Sequence, residues 1–364
     1  MMKAIRSLFH MVPLFTLLMT PAVGDAASFN EDLYSFQMQI DGEVITLPSS
    51  YEQMINAGWT YSGDGKELLK PEDRTASTAW EKNGVLLYGE MFNTSWDVAP
   101  VEKCVLASVQ LGASDSEVLL PGGILPGISV IGDVADAYGT PSGSQNGGGV
   151  TQYTYHLEYD REVVFSFSAA TGVLQEVSMR NVVMSAAPDP KALAGNSSSG
   201  SAHYHAPSSL GEDPFTFYVS YGNALYALPA PVSEFLKNGW IAIDGADSVV
   251  KAYGSSQLTL MLNGEQWTTW VYNHSDKATL AVNCMVTTIV SDMQRGEIPL
   301  VLPGGVAVGM TEEAALSIYG ELTAKASETG TSRRYVFSKG KRGIVLSIQR
   351  STGLVSRVEV NNAP

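Results

Sequence analysis

The pattern of apolar and polar residues near the start of the chain predicts an antiparallel hairpin. Phe36, Met38 and Ile40 alternate with polar residues, as in a strand with one buried face. Asp41-Gly42 is a typical turn dipeptide, and the mainly apolar stretch 44–47 follows it. We therefore expect two short strands paired across this turn.

The pattern continues over the next 140 residues and predicts many strands with two short helices. One helix is expected at 51–57, where Ser49 or Ser50 can cap it, and another at 130–137 after Ser129. Further strands are expected at 78–82, 85–92, 103–111, 152–159, 163–168 and 173–181. The expected fold class is α+β, with short helices packed on a mostly antiparallel sheet.

The chain repeats itself at a nearly constant offset, which predicts a tandem duplication of one domain. The offset stays between 180 and 182 residues, and the matches keep their order over about 145 residues. The matched features are Leu47-Pro48 and Leu228-Pro229, Gly58-Trp59 and Gly239-Trp240, Asn93 and Asn273, Cys104 and Cys284, the Leu-Pro-Gly-Gly motifs at 120–123 and 302–305, and Asn181 and Asn362.

The repeat and the composition together predict four segments. Residues 1–24 begin with basic residues, continue with a short apolar stretch and end in small residues of the kind that a signal peptidase requires before its cleavage site. This order is typical of a secretory signal. Residues 28–185 form the first half and residues 213–364 the second half of the duplication. Between them, 186–212 is rich in Ser, Ala, Gly and Pro, and we expect a flexible linker.

A resemblance to a known fold rests on the later part of each half. Gly309, Thr311, Tyr319 and Thr352 stand in a helix-and-strand pattern similar to that of the β-lactamase-inhibitory-protein family. The pattern also resembles the small lipoprotein of the outer-membrane assembly machine, and more loosely secreted proteins of gut Firmicutes. The resemblance implies a tandem α+β repeat and transfers no binding residue.

Composition and charge narrow the range of functions. The chain has 364 residues, 45% hydrophobic, and a net charge of -15. This acidic balance disfavours binding to nucleic acid and docking on anionic lipid, because both depend on Lys and Arg. No apolar stretch after the signal is long enough to span a membrane, so we expect a secreted protein without a membrane anchor.

Candidate chemistry is sparse. The residues matched between the halves include no Asp, Glu, His, Lys or Arg, although general acid–base catalysis needs titratable groups. The sequence contains no phosphate-binding loop motif, no His-Glu-x-x-His motif of zinc proteases and no Gly-x-Ser-x-Gly motif of serine hydrolases. The expectation is therefore a protein that is not an enzyme, with no cofactor and no metal site.

Aromatic residues supply the candidate binding positions. Trp80, Trp267 and Trp270 lie on predicted strands and would contact a sugar or a protein partner if exposed, or fill the core if buried. Trp59 and Trp240 follow matched glycines and are expected in the core. Other residues with an expected structural role are Cys104, Cys284, Gly122, Gly123, Gly304 and Gly305.

Two questions stay open for the cysteines and the function. Cys104 and Cys284 are expected as buried thiols, with a bridge between the halves as the alternative. The leading hypothesis for function is a secreted, non-enzymatic module that binds a protein, and an inhibitor of an extracellular enzyme is one form of this hypothesis. The alternatives are a secreted hydrolase of unrecognised type and a carbohydrate-binding or cell-surface-binding protein.

Overall fold

Antiparallel strands are the main secondary structure of the molecule. The computed structural model describes residues 29–113, 118–195, 203–293, 298–319 and 324–364, so the predicted signal lies outside the described residues. The strands of the first half are β1 Gln37–Ile40, β2 Glu43–Thr46, β3 Ser49–Ser50, β4 Thr60–Tyr61, β5 Leu68–Leu69, β6 Thr78–Lys82, β7 Val85–Phe92, β8 Ala99–Pro100, β9 Val105–Gly112, β10 Val118–Leu119, β11 Gly143–Gly147, β12 Val150–Glu158, β13 Arg161–Ser168 and β14 Leu174–Asn181.

The second half has a closely similar order of strands. They are β15 Tyr218–Tyr221, β16 Ala224–Ala227, β17 Ala230–Pro231, β18 Ile241–Asp244, β19 Val249–Val250, β20 Ser255–Leu262, β21 Glu265–Tyr272, β22 Thr279–Leu280, β23 Met285–Val286, β24 Thr288–Asp292, β25 Leu300–Val301, β26 Ala324–Glu328, β27 Ser332–Lys339, β28 Arg342–Gln349 and β29 Leu354–Asn361. The helices of the molecule are α1 Tyr51–Asn56, α2 Ile131–Tyr138, α3 Val232–Lys237 and α4 Glu312–Tyr319.

The expected α+β class is wrong, and the molecule is mainly β. Strands account for 47% of the structure and helical residues for 16%. The helices have six to eight residues, and each buries only one or two of them: Met54 from α1, Val134 from α2, Val232 and Phe235 from α3, and Ala315 and Tyr319 from α4. The cores are therefore filled mainly by strand side chains, and the helices do not form a layer on a sheet.

The start of α2 also differs from the expectation. Ser129 does not cap it, because its hydroxyl accepts a hydrogen bond from the Leu125 N–H at 3.1 Å. The carboxylate of Asp133 instead reaches back to the Val130 N–H at 2.8 Å. The carboxylate of Asp133, in the first turn, thus accepts a hydrogen bond from the backbone N–H of Val130 at the start of the helix, and the Ser129 hydroxyl has no part in this cap.

The two halves build their sheets differently at one position. In the first half, nine strands form one sheet, with β11-β12-β13-β14-β9-β7-β6-β4 in order and β3 pairing with β9. In the second half, β17-β23-β21-β20-β18 and β24-β29-β28-β27-β26 are separate sheets. The division falls at Thr287, whose N–H and hydroxyl both donate to the Trp270 carbonyl at 3.0 and 3.2 Å. Ala107 stands at the matched position in β9, where it is the extra residue at a register shift between β9 and β7.

Matched residues make matched contacts in the two halves. The side-chain amide of Asn181 donates to the Leu47 carbonyl, and that of Asn362 donates to the Leu228 carbonyl. Gly122 and Gly304 both have positive φ, 71° and 72°. Because side chains other than glycine rarely adopt this conformation, each Leu-Pro-Gly-Gly motif depends on its glycine.

Each half has its own core, and a third, smaller cluster joins them. Leu193, from a 3-10 turn in the predicted linker, is buried there with Ala278 and Leu280 of the second half. Trp96 of the first half packs against the same cluster. The described part of the linker is therefore anchored to both halves at this point. Among the described residues, no helix is long and apolar enough to cross a membrane.

Candidate functional site

The outer face of the first-half sheet carries a row of polar side chains. Glu90 on β7 and Arg180 on β14 both stand opposite Ser108 on the strand between them, β9. Their core-side neighbours Met91 and Met179 are buried. Because side chains alternate along a strand, the three polar groups share the face that points away from the core.

Ion pairs link this row to two loops. A guanidinium nitrogen of Arg180 lies 3.3 Å from a Glu90 carboxylate oxygen and another lies 3.8 Å from Asp160. Arg74 approaches Glu90 from the other side, with Nε 3.8 Å from the carboxylate. Arg74 is held there because its backbone forms a bridge with Phe92 at the end of β7. The loop before β6 and the turn before β13 thus meet above the sheet.

The meeting of loops and sheet leaves an open cleft of about 770 Å³. Tyr159, in the turn between β12 and β13, stands at its edge with 89% of its surface exposed. Asp160 follows it with φ of 58°, a left-handed conformation that Asp tolerates better than most residues. The other residues that line the cleft are Glu72, Asp73, Arg74, Glu90, Phe92, Ala107, Ser108, Arg180, Val182 and Met184.

The cleft is acidic, as is the half that contains it. Its charged lining residues are four carboxylates and two guanidinium groups. Lys251, from the second half, forms an ion pair with Glu72 at the edge and offsets one of the carboxylates. Residues 28–185 as a whole carry 7 Lys and Arg against 21 Asp and Glu, a net charge of -14. A cationic group is therefore attracted to this surface.

The second half has different side chains at the matched positions. At the same offsets, Trp270 stands for Glu90, Asn361 for Arg180, Lys341 for Asp160 and Ser255 for Arg74. The ion-pair network of the cleft is therefore confined to the first half. The duplication of the sequence does not extend to this site.

The predicted tryptophans separate into two groups. Trp80 and Trp267 are 0% and 3% exposed and belong to the cores, so they do not contact a ligand at the surface. Trp270 is 48% exposed and is the binding candidate that remains of the three. Trp59 and Trp240 lie in the cores, where the stacked rings of Trp240 and Tyr221 have centroids 4.9 Å apart.

The cysteines lie apart from one another as buried free thiols. Each sulfur donates to a carbonyl four residues earlier, Pro100 for Cys104 and Leu280 for Cys284, both at 3.4 Å. Burial raises the pKa of Cys104 to about 11 and that of Cys284 to about 12. The thiolate form, which is the nucleophile, is thus disfavoured at both positions.

The shared asparagines shape two equivalent loops that hold the halves together. The side-chain amide of Asn93 donates to the Leu69 and Asp97 carbonyls, both at 2.9 Å. That of Asn273 donates to the Lys277 carbonyl at 2.7 Å. Each asparagine is nearly fully buried, 1% and 0% exposed, and fixes the loop that follows it.

The loops meet across an approximate twofold relation. The Val98 N–H donates to the Asp276 carbonyl at 2.9 Å, and the Ala278 N–H donates to the Asp97 carboxylate at 2.7 Å. The Lys251 amine also lies 5.2 Å from the ring centre of Trp96. In the opposite direction, Lys70 lies 5.1 Å from the Tyr253 ring. Since Lys70 and Lys251 are matched positions, each half reaches across with the same residue.

Sequence reasoning missed the cleft. Glu90, Arg180 and Asp160 lie far apart in sequence, and none is shared with the second half, so a search for matched residues passes over them. A charge count for each half is the signal that would have pointed to the first half. Among the described residues, no three His, Cys, Asp or Glu side chains gather as a metal ion would require.

Comparison with protein-family models, curated proteins and solved structures finds no match to this chain. The resemblance to the inhibitory-protein fold thus stays a prediction. Function must be argued from the geometry and charge of the surface itself.

Proposed function

We propose that the protein is an exported binding protein that engages a protein partner through the first-half cleft and carries out no chemical turnover. The single observation that carries this proposal is the combination of an acidic cleft with an almost fully exposed tyrosine at its edge. Tyrosine is among the residues that dominate the energy of protein interfaces, because it adds a large contact area with little flexibility.

The cleft selects for a basic partner. A Lys or Arg side chain entering it would meet the carboxylates of Glu90 and Asp160 and could lie against the Tyr159 ring. A cation over an aromatic face is attracted by the ring, most strongly where water is excluded. The partner is therefore inferred to present a basic side chain on a convex segment.

The ion pairs among the charged groups of the cleft support binding without turnover. Arg180 holds Glu90 and Asp160, and Arg74 holds Glu90 from the other side. Ser108, the hydroxyl between Glu90 and Arg180, is only 7% exposed. A serine nucleophile needs a base within hydrogen-bond reach and access to substrate, and this arrangement favours recognition instead.

The test is capture of partners from the culture medium of the source organism, with matched variants as bait. Tyr159→Ala and Asp160→Asn change the edge of the cleft. Tyr88→Ala is the control, because Tyr88 is also an exposed tyrosine of the first half, 43% exposed, and does not line the cleft. Each bait is used at low and high salt.

We expect a captured protein to be lost with the two cleft variants, retained with Tyr88→Ala, and weakened by salt. Equal capture by all baits would refute the cleft as the site. Turnover of a substrate that disappears with Asp160→Asn, while the fold is intact, would refute the non-enzymatic part of the proposal.

A second candidate function, carbohydrate binding, is favoured by Trp270. Its indole is about half exposed on β21, at the position that Glu90 occupies in the first half. An exposed indole face suits an apolar sugar face. Quenching or enhancement of tryptophan fluorescence by polysaccharides, absent in Trp270→Phe, is the measurement that would favour this alternative over the cleft.

A further inference from the structure

We propose that the last four strands, β26 to β29, form a basic surface that binds anionic membrane lipid. Residues 324–364 carry 8 Lys and Arg against 2 Asp and Glu, a net charge of +6 in a chain whose total is -15. This surface is distinct from the first-half cleft. Clusters of this size are typical of segments that attract anionic lipid headgroups.

Carboxylates among the described residues neutralise only part of the positive charge of this surface. Its two acids are already paired: Glu328 lies 2.7 Å from Arg333, and Glu359 lies 3.2 Å from Arg357. Arg333 also pairs with Glu312 at 2.6 Å. Among the described residues, no carboxylate lies within ion-pair distance of the other six cations, which are Lys325, Arg334, Lys339, Lys341, Arg342 and Arg350.

The hairpin turn between β27 and β28 concentrates three of these cations. Lys339 and Arg342 stand opposite one another, and Lys341 lies in the turn between them. Gly340 has a positive φ of 68°, which lets the turn close tightly. All three cations are exposed. The turn is therefore a compact basic projection from the end of the sheet.

The remaining cations are spread over the sheet and do not converge on one point. Arg334 lies near the start of β27, five residues from Lys339, and Lys325 lies on the edge strand β26. Five residues of strand span roughly 17 Å, and because this separation is odd, Arg334 shares its face with Lys325, which pairs with Val336, and not with Lys339. Such spacing suits many separate phosphate groups on a surface better than one small anion in a pocket.

Lipid fits this surface better than nucleic acid. Proteins that bind single strands stack bases on exposed aromatic rings. On these strands, Phe337 is buried, and the hydroxyl of Tyr335 is held by Glu312 at 2.5 Å. No exposed large aromatic side chain lies on the described residues of these four strands. The described part of this surface therefore offers positive charge but no large exposed aromatic ring on which a base could stack.

The test measures binding of the chain from residue 28 onwards to lipid vesicles. Vesicles of phosphatidylcholine alone are compared with vesicles that contain equal parts of phosphatidylcholine and phosphatidylglycerol, at low and high salt. The test variant is Lys339→Gln/Lys341→Gln/Arg342→Gln. The control variant, Lys66→Gln/Lys103→Gln/Lys191→Gln, removes three exposed cations from elsewhere in the chain and so has the same net charge.

We expect binding to the anionic vesicles alone, lost at high salt, and weakened on the order of 100-fold in the test variant with little change in the control. Absence of binding to anionic vesicles at low salt would overturn the proposal, and so would equal binding by both variants. Tight binding of a DNA duplex that depends on the same three cations, without vesicle binding, would assign the surface to nucleic acid instead.

Discussion

The turns at 158–161 and 339–342 occupy matched places in the two halves and carry opposite chemistry. The first has the sequence Glu-Tyr-Asp-Arg and the second Lys-Gly-Lys-Arg. Both connect long antiparallel strands, with Glu158 opposite Arg161 in the first half and Lys339 opposite Arg342 in the second, although only the first hairpin has a register shift beside its turn. The comparison shows similar strand pairing with different surface side chains, so each half presents its own surface chemistry on a similar backbone.

The same contrast extends to whole halves. The first half has a net charge of -14, and residues 213–364, with 12 Lys and Arg against 13 Asp and Glu, have a net charge of -1. Nearly all of the whole-chain charge of -15 therefore belongs to the first half. The whole-chain value also hides the net charge of +6 on the basic strands at the end of the chain, to which an argument from whole-chain charge does not apply.

The largest effect of a substitution on stability is expected at core positions that are the same in both halves. Replacing Trp59 or Trp240 by Ala should lower the free energy of unfolding by about 3–5 kcal/mol, because each indole fills a closed core. Denaturant unfolding followed by circular dichroism measures this. Trp270→Ala is the control, and it should cost about 1 kcal/mol or less. A small effect at Trp59 or Trp240 would break the structural equivalence.

A smaller loss is expected at the buried asparagines. Asn181→Ala and Asn362→Ala each remove an amide that donates to a buried carbonyl, of Leu47 and Leu228 respectively. Each should cost about 1–3 kcal/mol in unfolding free energy, because the carbonyl loses its donor. Parallel losses in both halves would strengthen the comparison. A loss at one position only would show that the contacts are not energetically equivalent.

The two buried thiols should make the free energy of unfolding depend on pH. Burial raises the pKa of Cys104 from 9.0 to about 11 and that of Cys284 to about 12, so the unfolded chain releases these protons before the native chain does. Stability is therefore complete below pH 9.0 and falls as the pH rises towards the native pKa values. At pH 10 each thiol should account for about 1 kcal/mol of this loss.

Single serine variants check this assignment. Unfolding free energies of Cys104→Ser and Cys284→Ser, measured between pH 8 and pH 10, should fall less steeply than those of the parent chain. An unchanged slope would mean that the thiols ionise alike in the native and unfolded states.

The smallest effect on stability is expected at the turns that differ most. Glu158→Lys/Asp160→Lys breaks ion pairs with Arg161 and Arg180, and these side chains are all partly exposed. Because exposed ion pairs contribute little, the loss should be about 1 kcal/mol or less. Lys339→Glu/Lys341→Glu breaks no ion pair among the described residues and should change stability still less.

Urea unfolding of the two double variants provides the measurement. A loss well above 1 kcal/mol in the first variant would mean that the ion-pair network holds the sheet together. The cleft would then have a structural role rather than the binding role proposed above.

Local patterns in the sequence predicted several parts of the fold correctly. The hairpin after Phe36 is present as β1 and β2, and the helix expected at 51–57 is present at Tyr51–Asn56 with Ser50 as its cap. These features depend on neighbours within a few residues, so the pattern contains the information. The fold class was missed because a pattern shows that a helix exists and not how little of the core it fills.

The sequence by itself determined most of the longer strands, several turns and the matched positions of the two halves, because alternation, Gly-containing turns and internal repeats are local or additive signals. It did not predict β11 or the two-residue strands. Only the tertiary structure decided which of Trp80, Trp267 and Trp270 is exposed, that Leu193 joins the halves, and that Arg180 meets Glu90 and Asp160. Those outcomes depend on strand pairing and side-chain contacts between residues far apart in the sequence, such as Glu90 and Arg180, which are 90 positions apart. No local pattern specifies such contacts.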